Sequence, residues 1–132
     1  MDPDLERRIR GAYEAFARGD VESVLDNFDA GSQVASPEYA LESGEAEGRE
    51  AAAASFRGTL EWLSLESLDI EELVEGPDGV LVMIRLRGEG RASGVPVDVR
   101  YAHAIEFDDD RVQRFTWFET REEGLAAVGL AA

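Results

Sequence analysis

His103 is the only histidine in the chain and the side chain best suited to acid–base chemistry. It lies in an alternating run with Val99, Tyr101 and Ile105, and alternation along a strand places these residues on one face. An imidazole on that apolar face could act as a general acid or base near neutral pH. The alternative interpretation is a neutral histidine that is satisfied by hydrogen bonds inside a polar-lined core.

Glu119 is the second candidate for proton transfer. It lies two residues after Trp117 near the end of the last predicted strand, and therefore on the same face. If its carboxyl group is buried beside aromatic residues, desolvation would raise its pKa and suit it to proton transfer. A solvated strand end beside a helix cap is the alternative, because carboxylates are rarely buried.

Aromatic residues provide candidate walls for a pocket that takes a flat, apolar small molecule. We expect Trp117 in the wall and Tyr39 at the lip. The same side chains are also typical of an ordinary core, since aromatic residues dominate cores of many kinds. The full candidate set for ligand binding is Tyr13, Phe16, Tyr39, Trp62, Tyr101, Phe115 and Trp117.

Several other chemistries find little support in the sequence. The chain has no cysteine and one histidine, so a transition-metal site would need carboxylates for most of its ligands. No phosphate-binding loop or dinucleotide fingerprint is present. The run of three aspartates at 108–110 lacks the spaced ligands of a calcium loop and is better explained as a solvated turn. The sequence therefore predicts no metal and no cofactor.

Length and charge restrict the class of protein further. At 132 residues, 44% of them hydrophobic, the chain is predicted to form one domain over residues 1–132. The formal net charge is -16, and all 13 basic residues are arginine. Such a field disfavours nucleic acid and anionic membranes as partners. No apolar run approaches the roughly 20 residues that span a bilayer, so a cytoplasmic location is expected.

The hydrophobic pattern predicts helices first and a sheet afterwards. Helices are predicted over residues 3–18, directly after Asp20, and over 48–64, with a short strand at 33–35. Strands linked by turns are predicted from 65 to 119, and a capping box at 120–123 begins a last short helix. Three consecutive strands joined by turns indicate an antiparallel meander. The order of elements is typical of an α+β fold.

Three stretches of the sequence resemble the nuclear transport factor 2-like superfamily, and its SnoaL-like polyketide cyclase branch in particular. They close the first helix, open the third and end the chain. The stretches are Ala17-Arg18-Gly19-Asp20-Val21, Gly48-Arg49-Glu50, and the run from Phe118-Glu119-Thr120-Arg121 to Gly129-Leu130.

The resemblance implies a cone-shaped roll: a curved antiparallel sheet wrapped around three helices, with a short C-terminal helix. It also implies an apolar pocket at the open end and a homodimer formed through the sheet. In the SnoaL-like cyclases the histidine that matches His103 is paired with a carboxylate on the next strand. This chain has Trp117 at that position, which counts against a conventional cyclase.

A resemblance to the ketosteroid isomerases of the same superfamily is weaker. Their carboxylate base precedes a proline where this chain has Ser36-Pro37, and their tyrosine on the first helix matches Ala12. Tyr13 lies one position further, about 100° around the helix. A shifted match could bring Tyr13 into that place, but it would not restore the missing carboxylate.

These observations favour a small-molecule pocket protein that resembles SnoaL-like cyclases and isomerases, with acid–base chemistry at His103 on an apolar, ring-bearing substrate. The alternatives are a protein that binds such a ligand without catalysis, and a dimerising interaction domain. The substrate is not specified by the sequence, because the superfamily supports many functions on one fold. Whether residues 36–48 close over the pocket is also left open.

Overall fold

The computed structural model describes residues 1–36 and 44–130, with side chains described except at 36 and 44–46. Within these residues the helices and strands follow in the order α1 (Pro3–Ala17), α2 (Val21–Leu25), β1 (Gln33–Ser36), β2 (Gly44–Glu47), α3 (Arg49–Trp62), β3 (Leu63–Gly76), β4 (Gly79–Gly90), β5 (Pro96–Asp108), β6 (Arg111–Phe118) and α4 (Arg121–Ala127).

The predicted caps form. The carboxylate of Asp2 accepts the backbone N–H of Asp4 at 3.2 Å, and that of Asp20 accepts the N–H of Ser23 at 3.2 Å. Each cap satisfies one of the backbone donors that a helix leaves unpaired in its first turn. Thr120 likewise accepts from the N–H of Glu123 at 3.2 Å. Short-range sequence signals therefore fix where three of the helices begin.

The described strands form one sheet in the order β2-β1-β6-β5-β4-β3. The meander from β3 to β6 is antiparallel, as predicted. The sheet as a whole is mixed, because β1 pairs with β6 in parallel. This pairing covers the edge of β6 that the meander leaves free, and unpaired edges are costly.

Bulges bend the sheet. Register shifts occur in the pairing of β3 with β4, between Leu65 and Ser67 and again between Ile70 and Glu72. A further shift lies between Glu106 and Phe107 on β5. Extra residues of this kind increase twist and curvature, so the sheet curves around the helices.

The two faces of the sheet are buried against different helices. Val82 and Ile84 on β4 join the main core with α1, α2 and α3, whereas Leu81 packs in a second cluster with Leu125 and Val128 near α4. This explains why β4 carries apolar residues on both faces. The structure confirms the predicted α+β roll with three helices on one face and a short C-terminal helix.

The outer face carries ion pairs where α4 does not cover it. The Arg85 guanidinium on β4 donates to both carboxylate oxygens of Asp98 on β5, at 2.9 and 2.7 Å. Arg87 instead lies near Asp69 on β3. The homodimer through this sheet stays a prediction.

Candidate functional site

A cavity of about 670 Å³ lies between the inner face of the sheet and the helices. Its volume falls within the roughly 300–1,000 Å³ of sites that take small molecules and cofactors. The polar side chains in its lining are few, and His103 and Tyr13 are among them. The cavity is therefore a mainly apolar and aromatic space with isolated polar groups.

Strand alternation brings His103 to this cavity. Val97, Val99, Tyr101 and Ile105 of the same strand also line it, as the sequence predicted from their shared parity. Phe115 on the neighbouring strand lies beside the imidazole, with ring centroids 4.7 Å apart. His103 thus sits on a strand rather than a loop, among aromatic rings that hold its orientation.

The imidazole of His103 is paired with Tyr13. The Tyr13 hydroxyl lies 2.5 Å from Nδ1 of His103, and the two rings are stacked at a centroid distance of 5.7 Å. Tyr13 comes from α1, so the pair joins the first helix to β5. We call these two residues the Tyr13–His103 pair.

Burial keeps both members of the pair uncharged. It lowers the pKa of His103 to about 3 and raises the pKa of Tyr13 well above its usual value. Desolvation disfavours the charged form of either group. At neutral pH the pair therefore consists of a neutral imidazole and a protonated phenol.

The second nitrogen of His103 remains available to a ligand. In the described part of the chain no buried side-chain nitrogen or oxygen lacks a hydrogen-bond partner. In that part, the hydrogen bond of His103 goes to Tyr13 and uses Nδ1, so Nε2 has no partner there. Nε2 is therefore not fully buried and keeps accessible surface at the cavity. Nε2 donates when the Tyr13 hydroxyl donates to Nδ1, and it accepts when Nδ1 carries the proton.

Glu119 also borders the cavity, but its side chain is exposed. It follows directly after β6, beside the cap of α4. Burial raises the pKa of Tyr101, and the nearby charge of Glu119 raises it further. Glu119 lies at an exposed strand end beside the cap of α4, which was the alternative interpretation of its sequence position.

Trp117 occupies the position opposite His103. The two residues are direct partners in the register of β5 and β6. The Trp117 ring meets Tyr101 edge to face at 5.4 Å. An aromatic side chain thus stands directly across from the imidazole, at the position where the resemblance to the cyclases implies a carboxylate.

The remaining candidate residues differ in where they lie relative to the cavity. Trp62 lines the cavity while 57% of its surface is exposed, which places it at an edge. Phe16 also lines the cavity. Tyr39 lies outside the described residues.

Tyr13 lies on the cavity although it is one position away from the residue that matches the tyrosine of the ketosteroid isomerases. Ala12 and Tyr13 both line the cavity. Neighbouring residues differ by about 100° around a helix, and the apolar stripe that a helix turns towards a core is at least that wide. A shift of one position therefore moves the side chain along the site rather than out of it.

Four polar residues of the lining were missed from the sequence: Arg8, Asn27, Ser55 and Thr59. Arg8 precedes Ala12 by one helical turn, so its spacing was a usable signal. Asn27 follows α2 in a connection and carries no periodic signal.

Metal clusters and membrane-spanning helices are both absent from the described residues. These residues contain no group of three or more His, Cys, Asp or Glu side chains that could hold a metal ion. None of the described helices is long and apolar enough to cross a membrane.

Comparison with known proteins identifies the family. The model of the SnoaL-like domain matches residues 9–115. The chain belongs to the SnoaL-like domain family. No curated protein sequence matches the chain.

Solved structures show the same fold at low identity. An NTF2-like protein of unknown function from Burkholderia pseudomallei has 21% identity and a TM-score of 0.74, with 95% of this chain and 97% of that chain covered. A protein assigned as a SnoaL-like polyketide cyclase from Jannaschia sp. has 19% identity and a TM-score of 0.76, with coverage of 97% and 93%. TerC, co-crystallised with polyporic acid, has 19% identity and a TM-score of 0.71, with coverage of 94% and 97%. This SnoaL-like chain therefore shares its fold with cyclase-like and NTF2-like proteins.

Proposed function

We propose that this SnoaL-like protein binds a small, mainly apolar, ring-bearing molecule in the cavity and holds one polar group of it against the Tyr13–His103 pair. The observation that carries the proposal is an uncharged hydrogen-bonding pair set into an aromatic cavity of about 670 Å³. Apolar walls supply affinity, and a single oriented polar group supplies specificity.

Two of the structural neighbours support this ligand class. One is assigned as a polyketide cyclase, and another was crystallised with polyporic acid. The aromatic rings around His103 suit a planar ligand, because aromatic pairs favour offset-stacked and edge-to-face contacts. Phe115 and Trp117 are positioned to make such contacts on β6.

Acid–base catalysis of the isomerase or cyclase type is a second candidate. It is favoured by the presence of Glu119 and the Tyr13–His103 pair on the same cavity. In such a step a carbon-bound proton would pass to the Glu119 carboxylate, and the electron pair would move onto a carbonyl oxygen. The Tyr13–His103 pair would stabilise that oxygen by a hydrogen bond in apolar surroundings. The low pKa of His103 makes it a poor base at neutral pH, so the proton acceptor in this step is Glu119 rather than His103.

The binding proposal is tested with naphthalene and 2-naphthol, which differ by one hydroxyl group. Wild type should bind 2-naphthol several-fold more tightly, since a net hydrogen bond contributes about 1 kcal/mol. His103→Leu should lose this preference while still binding naphthalene. Val95→Ala is the control, because Val95 is 58% exposed and lies outside the cavity lining. Failure of wild type to bind either compound, or an unchanged preference in His103→Leu, would refute the proposal.

The catalytic candidate is tested by a different measurement, the exchange of a carbon-bound proton for deuterium. If it holds, Glu119→Gln should abolish deuterium exchange at the carbon next to the carbonyl of a bound ketone such as 2-tetralone, while the ketone still binds. Exchange at the wild-type rate in Glu119→Gln would remove Glu119 as the base.

A further inference from the structure

Arg8 brings a positive charge to the cavity. It lies on α1 on the same stripe as Ile9, Ala12, Tyr13 and Phe16, all of which line the cavity. Tyr13 follows Arg8 by five positions, which corresponds to about 7.5 Å along a helix axis. The guanidinium and the Tyr13–His103 pair are therefore two distinct polar positions along one wall.

The hydrogen bonds of Arg8 go to neutral groups. Its Nη2 atom donates to Oδ1 of Asn27 at 3.1 Å and to the backbone carbonyl of Asp110. The Asn27 amide in turn donates to the backbone carbonyl of Val24 at 3.2 Å, so Asn27 is a positioning residue for the guanidinium. Among the described residues no carboxylate forms an ion pair with Arg8.

This arrangement contrasts with the rest of the protein. Acidic residues outnumber basic ones by 29 to 13, and many arginines pair with a carboxylate, as Arg7 does with Asp4 and Arg85 with Asp98. A guanidinium offers five N–H donors in a planar fork that suits carboxylates and related anions. Because both bonds of Arg8 use Nη2, its Nε and Nη1 donors remain for a ligand.

We infer that Arg8, oriented by Asn27, forms an anion subsite and that the ligand of the cavity is an anionic, ring-bearing molecule. Its carboxylate or other acidic group binds the Arg8 guanidinium, its ring occupies the aromatic middle, and a further polar group meets the Tyr13–His103 pair. This inference rests on the proposed function and narrows its ligand class from apolar molecules to apolar acids.

The test uses two fluorescent probes with one skeleton. N-phenyl-1-naphthylamine is neutral, and 8-anilinonaphthalene-1-sulfonate adds a sulfonate to it. Wild type should bind the sulfonate at least as tightly as the neutral probe, in spite of its charge of -16. Arg8→Gln should weaken binding of the sulfonate about 10- to 100-fold, as for the loss of hydrogen bonds to charged groups, and should change that of the neutral probe less than about twofold.

Arg111→Gln is the matched control. Arg111 also donates to a backbone carbonyl, that of Asp26, and it lies outside the cavity lining. The substitution changes the net charge by the same amount as Arg8→Gln, so an effect of overall charge appears in both variants. If the two substitutions weaken binding of the sulfonate probe equally, the inference is overturned.

The remaining outcomes separate this inference from the proposed function. If wild type binds the neutral probe more tightly than the sulfonate, the anion subsite is refuted and the apolar cavity stands. If neither probe binds, the anion subsite and the proposed function are both refuted. If Arg8→Gln no longer binds the neutral probe, its fold is damaged. The relative affinity of wild type for the two probes then decides whether the anion subsite exists.

Discussion

The Tyr13 hydroxyl lies 2.5 Å from Nδ1 of His103, although 90 positions separate the two residues in the chain. The contact connects α1 with β5 across one end of the core, and burial keeps both groups uncharged. At neutral pH a histidine in this state acts as a hydrogen-bonding group of fixed orientation and does not take up or release a proton.

The stability of the protein should depend on pH through His103. The folded state binds the imidazole proton near pH 3, whereas the unfolded state binds it near the ordinary value of about 6.5. As pH falls from about 6.5 towards 3, the unfolded state gains a proton that the folded state excludes. The free energy of unfolding should therefore fall by up to about 1.4 kcal/mol per pH unit, and the full contribution should be present above about pH 6.5.

Urea unfolding between pH 7 and about pH 4.5 measures this effect. Carboxylates also titrate in this range, so the comparison is with His103→Gln, which keeps a polar side chain without the titration. Wild type should lose more stability on acidification than the variant. If the free energy of unfolding falls equally with pH in wild type and His103→Gln, the lowered pKa of His103 is contradicted.

Removing the Tyr13 hydroxyl should destabilise the fold. Tyr13→Phe leaves the ring packing in place and deprives His103 of its partner, which we expect to cost about 1 kcal/mol. Tyr101→Phe is the control, because the Tyr101 ring also lines the cavity and its hydroxyl is not part of the pair. Chemical denaturation that shows equal losses in the two variants would speak against the bond.

A carboxylate opposite His103 should restore a titrating histidine. In Trp117→Asp the new carboxylate lies across the strand pair from the imidazole, and an opposite charge nearby favours the imidazolium. We expect the pKa of His103 to rise by more than about one unit. Trp117→Asn, which opens the same space without a charge, should give a smaller rise, and equal values in the two variants would show that solvent access alone sets the pKa.

Gly124 should tolerate no side chain. A Cβ atom there would lie 2.5 Å from Cδ1 of Leu81 and 2.9 Å from Cβ of Ala102, beneath α4. Overpacking of this kind costs about 1–3 kcal/mol, so Gly124→Ala should lower the free energy of unfolding. Gly11→Ala, in α1 with open space around the new atom, should instead stabilise the protein by about 0.5–1 kcal/mol. Stabilisation by both substitutions would show that α4 does not pack as described.

Local signals in the sequence were sufficient for the helices, for the meander from β3 to β6 and for the faces of its strands, whereas β2 was not predicted. The caps at Asp2, Asp20 and Thr120 depend on residues two or three positions away, so they could be identified directly. Strand parity placed His103 and Tyr101 on the cavity face for the same reason. Trp117 was singled out by the resemblance to the cyclases, and the register of β5 and β6 sets it directly opposite His103.

The contacts that define the site depend on how distant elements meet. The rotation of α1 over the sheet decides that Tyr13 reaches His103, and the helical pattern fixes only a broad stripe. The parallel pairing of β1 with β6 is also non-local, since 81 positions separate Gln33 from Arg114. Arg8 was overlooked because its charge, taken alone, indicates a solvated surface position.

The most direct test of the proposed site is the nuclear magnetic resonance signal of the His103 ring, which is unambiguous because the chain has one histidine. The ring carbon and proton shifts are followed from about pH 4.5 to 7.5 and then at pH 7 during a titration with 2-naphthol. We predict a neutral imidazole throughout the pH range and a saturable shift that follows binding of the ligand. A histidine that titrates near pH 6.5, or a ring signal that stays unchanged while 2-naphthol binds, would contradict the Tyr13–His103 pair as the polar centre of a ligand site.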